Sequence, residues 1–300
     1  MSLSIVEPGV YFDIPEDEYH RDPVPGGSLS SSGAKRLLPP YCPARFVHER
    51  QHGQPPRAEF DVGRAAHALV LGVGADLGIV DAPDWKTKAA QAERDEHRRA
   101  GRTPLLRKQY DQVVDMGAAI QANPLAAALL DPTRPGRQVE VSLFAEDPAT
   151  GTMRRGRLDV LPPLPARRDD GSRPRLLVPD FKTAASADPW TFARAAAGYG
   201  YHQQAAWYVD LVRDLVLDEH DPDPAFLFVV QEKDPPYLVS VVELDQLAVD
   251  AGRRRNRAAI DLYAECVRTG EWPSHTRGEV ALVPLPRWAT SDHDAEEFLP

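Results

Sequence analysis

The sequence predicts a mixed α/β (α+β) protein with a small mixed central sheet flanked by helices. Three observations lead there. Residues 138–143 alternate, with Gln138, Glu140 and Ser142 on one face and Val139, Val141 and Leu143 on the other, the period of a strand. The segments 189–217 and 245–270 carry apolar residues at helical spacing. The element order, helices, three strands, helix, two strands, helix, places a helix between strands that can share a sheet.

Taken in order, Ser30 to Ser32 cap a short helix through Leu38, which Pro39 and Pro40 end. A second helix covers about 58–72, "AEFDVGRAAHALVLG", whose small residues Gly63, Ala65, Ala66 and Ala68 permit close packing. Residues 84–130 give two or three charged helices, one opened by Thr103 as cap and Pro104 in the first turn. "RQVEVSLFAED" and "GTMRRGRLDVL" form a hairpin across Pro148–Gly151. The Pro- and Arg-rich stretch 162–174 is a loop inserted between strands, and "RLLVPDFK" is the third strand. One long helix follows over 189–217, with Tyr201, Gln204, Tyr208, Leu211 and Leu215 along a stripe. A hairpin turning at Pro235 and a final long helix complete the set. We expect a single domain over 1–300: a helical lead-in to 57, a core over 58–270 and an irregular tail over 271–300.

Bulk properties narrow the function classes. With 42% hydrophobic and 27% charged residues the chain has an ordinary globular composition. It contains no stretch of about 18 apolar residues, so no membrane span is expected. The N-terminus lacks the basic and apolar regions of a signal peptide. Cys42 and Cys266, far apart, fit a reducing cytoplasm and no cysteine-bound cluster. A net charge of −10 is awkward for a nucleic-acid binder unless positive charge gathers locally. "RRGR" at 154–157 and "RRRNR" at 253–257 are such clusters, each readable also as a solvated loop or helix face.

The chemistry lies at strand ends. Asp159 closes one strand, on the face of Arg155 and Arg157, and Asp180 and Lys182 flank Phe181 on the next. Residues two apart share a face, so Asp180 and Lys182 lie side by side while Phe181 turns into the core. If the strands are neighbours, two carboxylates and a lysine converge. Carboxylates that close repel unless a cation lies between them, and Mg²⁺ takes one or two carboxylates while keeping sites for water and phosphate oxygens. Such a site suits phosphodiester hydrolysis, with the lysine positioning or helping to deprotonate a bound water. The plain alternative is a surface ion pair of Asp180 with Lys182. His67 is either a satisfied core histidine or a further ligand. Glu140 is an extra ligand or a solvent-facing carboxylate. Gln204 and Tyr208, four apart on one helix face, are a packing pair or a polar pair directed at DNA or at the lysine.

The series "VGRAAHALVLG", "VEVSLF", "GRLDVL", "VPDFKTAAS" and "YGYHQQAAWYVD" resembles the PD-(D/E)xK nuclease superfamily, and within it the exodeoxyribonuclease VIII group, the RecE-type exonucleases of phages and prophages. "SLSSSGAKRLLPPYCPARF", "WKTKAAQAERDEHRRAGRTPL" and the late "LPRWA" extend the likeness over roughly 10–290. The resemblance implies a restriction-endonuclease-like core. It implies a Mg²⁺-dependent exonuclease, with Mn²⁺ as substitute, that digests linear double-stranded DNA from 5′ ends and leaves a 3′ single strand. Its partners would be DNA ends and a RecT-type annealing recombinase. It would form a homo-oligomer, for which a ring is one arrangement, in the cytoplasm of a bacterial host. Carried onto this chain, His67, Asp159 and Asp180 are metal ligands with the Phe181 carbonyl, Lys182 is the catalytic lysine, and Gln204 with Tyr208 match a Q-x-x-x-Y element. Glu140 fits a recurrent acidic position. Pro179 departs from the pattern and requires a bulged or unpaired strand there. The connector 162–174 is longer than a tight hairpin, and its Arg167, Arg168, Arg173 and Arg175 would suit phosphate contacts. Competing readings are a Cas4-like enzyme, whose cysteine cluster is missing, a catalytically silent DNA-end-binding protein, and a structural protein with an acidic binding surface.

Overall fold

The computed structural model describes residues 3–53, 61–74 and 76–286. In chain order the elements are β1 (Gly9–Tyr11), α1 (Glu16–Arg21), β2 (Leu29–Ser30), α2 (Ser31–Leu37), α3 (Pro43–His52), α4 (Asp61–Leu71) and β3 (Leu77–Val80). Then come α5 (Lys88–Arg99), β4 (Thr103–Leu106), α6 (Arg107–Ala122), α7 (Pro124–Leu130), β5 (Gln138–Glu146), β6 (Met153–Leu161) and β7 (Leu177–Ala184). The chain continues through α8 (Pro189–Tyr199), α9 (Tyr201–Leu215), β8 (Ala225–Glu232), β9 (Val239–Glu243) and α10 (Gln246–Thr269).

Among the described residues the strands form three small sheets. One has the order β1-β5-β6-β2, with β5 and β6 the expected antiparallel hairpin. Another has the order β7-β8-β9, with β7 parallel to β8 and β9 antiparallel. β3 and β4 pair in parallel by themselves. The apolar run of β8 is buried almost throughout, as expected of a strand covered on both faces. Phe226, Phe228 and Val230 enter one core with Trp207, Leu211 and Ile260 of α9 and α10. Ala225, Leu227 and Val229 enter a second core with Val113, Met116 and Ile120 of α6. A mixed sheet region flanked by helices is therefore observed, and Phe181 joins the second core as expected.

Several expectations need correction. The helix over 189–217 is two helices, because Gly200 adopts a left-handed conformation (φ 69°, ψ 36°) and ends α8 with its amide on the Ala196 carbonyl. Thr103 and Pro104 do not open a helix; they lie in β4, and α6 begins at Arg107. Because β4 pairs with β3 alone, it tolerates a residue without an amide proton. The strands β1, β2 and β3 carry too few residues for a period to show. The second expected helix is α4, and residues 58–60 lie outside the described residues, as do 287–289 of the late "LPRWA" segment.

Most arginines of the two basic clusters are paired within the protein, while Arg254 is exposed. Arg154 pairs with Asp214 at 2.7 Å and Arg155 with Asp22 at 2.5 Å, both arginines nearly buried. Arg253 pairs with Asp210 at 2.9 Å and Arg257 with Asp147 at 2.6 Å. In and beside the connector Arg167 pairs with Asp218 (2.6 Å), Arg173 with Asp221 (2.9 Å) and Arg175 with Glu243 (2.7 Å), while Arg168 is exposed and reaches only the Ser172 hydroxyl (3.5 Å). Pro179 keeps its place in register opposite Leu227. Amides two apart face the same edge of a strand, and the Phe181 amide points toward β6. The donor Pro179 lacks is thus on that unladdered edge, and no bulge is needed. Among the described residues no single helix is long and apolar enough to cross a membrane; α6 and α7 together pass on length and composition but are bent by 104° and sunk in the second core.

Candidate active site

A cleft of about 890 Å³ opens between α1, α2, α4 and the ends of β6 and β7. His67, Glu140, Asp159, Phe181, Lys182, Gln204 and Tyr208 all line it. Each arrives by a local cause. On α4, Ala65 and Ala66 are fully buried, so the next residue, His67, is carried round toward the cleft. Its Nε2 lies 3.2 Å from Asp159 Oδ1 and its Nδ1 3.7 Å from Glu140 Oε1. Donor atoms of His67, Glu140 and Asp159 fall within 4.8 Å of one another.

Glu140 sits opposite Asp159 by register, since Val139 pairs with Val160 and Val141 with Leu158, yet these two residues form no ladder pair. The lapse coincides with a left-handed φ of 51° at Glu140. For a residue other than glycine such a backbone costs roughly 1–3 kcal/mol and is held only by its surroundings. Arg157, nearly buried, lies 3.8 Å from Glu140 Oε2 and donates to Ser142 Oγ (3.1 Å) and the Ile14 carbonyl (2.7 Å). Its guanidinium also lies 4.2 Å from the centroid of the Tyr19 ring.

Asp180 is buried, and its two oxygens are divided. Oδ1 accepts from Gln204 Nε2 at 3.0 Å, while Oδ2 faces Lys182 Nζ at 2.6 Å. The ion pair weighed from sequence does form, but between a buried Asp180 and the cleft-lining Lys182, not on the surface. Asp180 stands beside the three-donor group without joining it. The Phe181 amide donates to Asp159 Oδ2 at 2.7 Å. Tyr208 is turned inward: its hydroxyl accepts from the Arg157 amide at 3.3 Å and its ring stacks on Phe226 with centroids 5.3 Å apart. Of the Q-x-x-x-Y pair, Gln204 therefore fixes a carboxylate and Tyr208 fixes a strand.

Burial and mutual charge set the ionisation of the group. Burial alone would lower the His67 pKa, but Asp159 and Glu140 overcome it and hold the imidazole up at about 9. Burial would raise Asp159, yet His67, Lys182 and the Phe181 amide keep it below the usual range. Glu140 is raised, chiefly by burial and then by Asp159. Asp180 is raised by burial, against the pull of Lys182. Lys182 is raised: burial opposes its charge, and Asp180 and Asp159 more than compensate. Carboxylates and an imidazole gathered this closely make the site attractive to a cation, and their oxygen and nitrogen donors suit a divalent metal.

Residues that the sequence did not bring forward also line the cleft: Lys35, Arg64, Ser30 and Ser32, with Glu16 and His20 joining them from α1. Lys35 lies 5.5 Å from the Tyr201 ring, which Lys182 approaches at 5.9 Å. Burial and then Lys182 lower Lys35 to about 8. In the sequence these serines signal a helix cap, and Ser30 does accept from the Gly33 amide. That local role hid the second one.

Mixed sheets flanked by helices, with an Asp–Asp–Lys group where β6 meets β7, define a PD-(D/E)xK-type domain. The chain belongs to the PDDEXK-like domain family of unknown function (DUF3799), whose model matches residues 30–283. No curated protein matches it. Among solved structures, a Eubacterium rectale protein described as a "Putative exonuclease" is similar over 94% of this chain and all of that one, with a TM-score of 0.58 and 13% identity. That likeness shows the shared fold.

Proposed function

We propose that this protein is a divalent-metal-dependent deoxyribonuclease that degrades linear double-stranded DNA from its ends. The observation that carries the proposal is the placement of His67, Glu140 and Asp159 within 4.8 Å, beside the Asp180–Lys182 pair. His67, Asp159 and Glu140, whose ligand atoms lie together, would hold Mg²⁺ or, in its place, Mn²⁺, and by the resemblance of the motifs Asp180 and the Phe181 carbonyl would join them. A cation so held supplies Lewis acidity, lowering the pKa of water and shielding charge on phosphate oxygens.

The protein's own groups do the rest. Lys182, held as an ammonium by Asp180, donates hydrogen bonds to the attacking water or to a phosphate oxygen. Gln204 fixes Asp180 so that Lys182 keeps its position. Arg157 steadies Glu140 from behind. Family membership and the name of the Eubacterium rectale relative support nuclease chemistry at ends. Polarity from 5′ ends, delivery of the 3′ strand to a RecT-type annealing partner, and a ring-shaped homo-oligomer in a phage-bearing bacterial cytoplasm rest on the resemblance of the motifs. A silent end-binding protein is the second reading, and the intact set of Asp159, Asp180 and Lys182 argues against it.

The test is digestion of linear duplex labelled at the 5′ or the 3′ end, beside a covalently closed circle, in Mg²⁺, Mn²⁺ or EDTA. Wild type is compared with Lys182→Ala and Asp180→Ala. Metal-dependent release of the 5′ label from linear DNA alone, lost in both variants, is the expected result. Intact DNA under both metals would overturn the nuclease and leave the binding protein.

A further inference from the structure

We infer that Tyr199, Tyr201 and Lys35 form a ledge beside Lys182 that receives an unpaired nucleotide, its base on the Tyr199 ring and its phosphate on Lys35. This deepens the nuclease reading above and rests on it for the identity of the substrate. Tyr199 ends α8 with 69% of its surface exposed. Its ring neighbour is Tyr201, at 5.8 Å between centroids and tilted by 40°. Tyr201 is anchored from the core side by Phe192, stacked at 5.6 Å, and by Phe228, also at 5.6 Å. Toward the cleft it meets two ammonium groups, Lys35 at 5.5 Å and Lys182 at 5.9 Å.

Gly200 makes the arrangement possible. Its left-handed backbone turns the chain so that the two tyrosines flank the junction of α8 and α9, and the Lys35 stem packs on it. A Cβ there would come within 3.2 Å of Lys35 Cδ. Among the described residues no carboxylate forms an ion pair with Lys35, so its charge is available to a phosphate. An exposed aromatic ring, one ring removed from an unpaired cation through Tyr201, suits single-stranded nucleic acid, where bases stack on aromatic side chains and phosphates meet basic ones. A base inside a duplex has both faces covered by its neighbours. At a duplex end the paired terminal base offers one face, and a nucleotide that has left the helix can offer both its face to Tyr199 and its phosphate to Lys35. The ledge therefore favours a frayed or unpaired strand next to the reacting phosphodiester over the interior of a duplex.

The experiment compares wild type with Tyr199→Ala, Tyr199→Phe and Lys35→Gln on linear DNA in Mg²⁺, reading KM and kcat separately. A second arm follows 2-aminopurine at the terminal position in EDTA, and sedimentation gives the oligomeric mass. Tyr199→Ala is expected to raise KM about tenfold, Tyr199→Phe to stay within about twofold, and only the ring-bearing forms to change the terminal emission. A KM unchanged in Tyr199→Ala, while wild type digests DNA, overturns the ledge and leaves the nuclease standing. So does an altered mass with unaltered KM, which makes Tyr199 a subunit contact. Should wild type digest nothing, the nuclease reading falls, and the fluorescence arm alone decides the ledge: equal emission with wild type and Tyr199→Ala overturns it.

Discussion

Asp159 and Phe181 are joined by a hydrogen bond in which the Phe181 amide donates to the Asp159 carboxylate at 2.7 Å. The strands that carry them, β6 and β7, lie side by side but belong to different sheets. A side chain thus takes the place of a backbone ladder where the two sheets meet. The same carboxylate faces His67 through its other oxygen. Replacing it separates the two duties. Asp159→Asn keeps an acceptor for the amide while removing the charge that faces His67 and Lys182, and should lose metal-dependent cleavage. Asp159→Ala strands a buried amide and should lose cleavage and a further 1–3 kcal/mol, roughly the cost of an unsatisfied group. Equal stability of the two variants would show that the bond does not hold the sheets together.

His67 gives a pH dependence in the metal-free protein. Its folded pKa of about 9 lies above the ordinary 6.5, so the pairing with Asp159 and Glu140 stabilises the fold fully below 6.5. That contribution falls as pH rises through 9, where the imidazole loses its proton in the folded state as well. Thermal melts in EDTA, taken for wild type and His67→Gln, should differ most at the acid end and converge above about pH 9. A gap that widens toward alkaline pH would mean the imidazole is neutral in the fold.

How far the sequence discloses this site depends on the range of the interaction. Asp180, Phe181 and Lys182 were legible because a period of two sends the outer pair to one face and the ring to the other. The meeting of His67 with Asp159 joins residues 92 positions apart; the chemistry of His67 left it open between core histidine and ligand, and the motif resemblance chose the ligand. The strain at Glu140 leaves no trace, since no glycine or asparagine marks the turned backbone. Thr103–Pro104 has the chemistry of a helix start and of an edge strand alike, and β3 decides between them. Gly200 lies within a continuing apolar period, which hid the break. The arginine clusters show the limit of charge counting: "RRGR" reads the same whether its partners are phosphates or Asp22 and Asp214.

Close approach of α9 to β6 depends on Gly156. A Cβ at that position would lie 2.7 Å from both Leu211 Cδ1 and Tyr208 Cε1, so α9 would have to shift. Because α9 also carries Gln204, the shift reaches Asp180. Gly156→Ala should lose about 1–3 kcal/mol, the usual cost of overpacking, and lose activity beyond what the unfolded fraction explains. Gly198→Ala in α8 is the control, since nothing lies within 4 Å of its Cβ. It should be neutral or slightly stabilising, because alanine is the better helix former.

The connector over 162–174 offers a sharp contrast between two uses of arginine. If Arg167 and Arg168 met phosphates, their removal would flatten the slope of log affinity against log salt by about 0.9 for each phosphate left without its arginine. The structure spends Arg167 on Asp218 and Asp221 instead, with Arg173 closing on the buried Asp221 carboxylate from the other side. Arg167→Ala should therefore leave DNA affinity and its salt slope unchanged. Arg173→Ala should lower the melting temperature, because a buried carboxylate loses a partner while its cost of burial remains. A flattened salt slope in Arg167→Ala, with the melting temperature intact, would return the connector to the DNA.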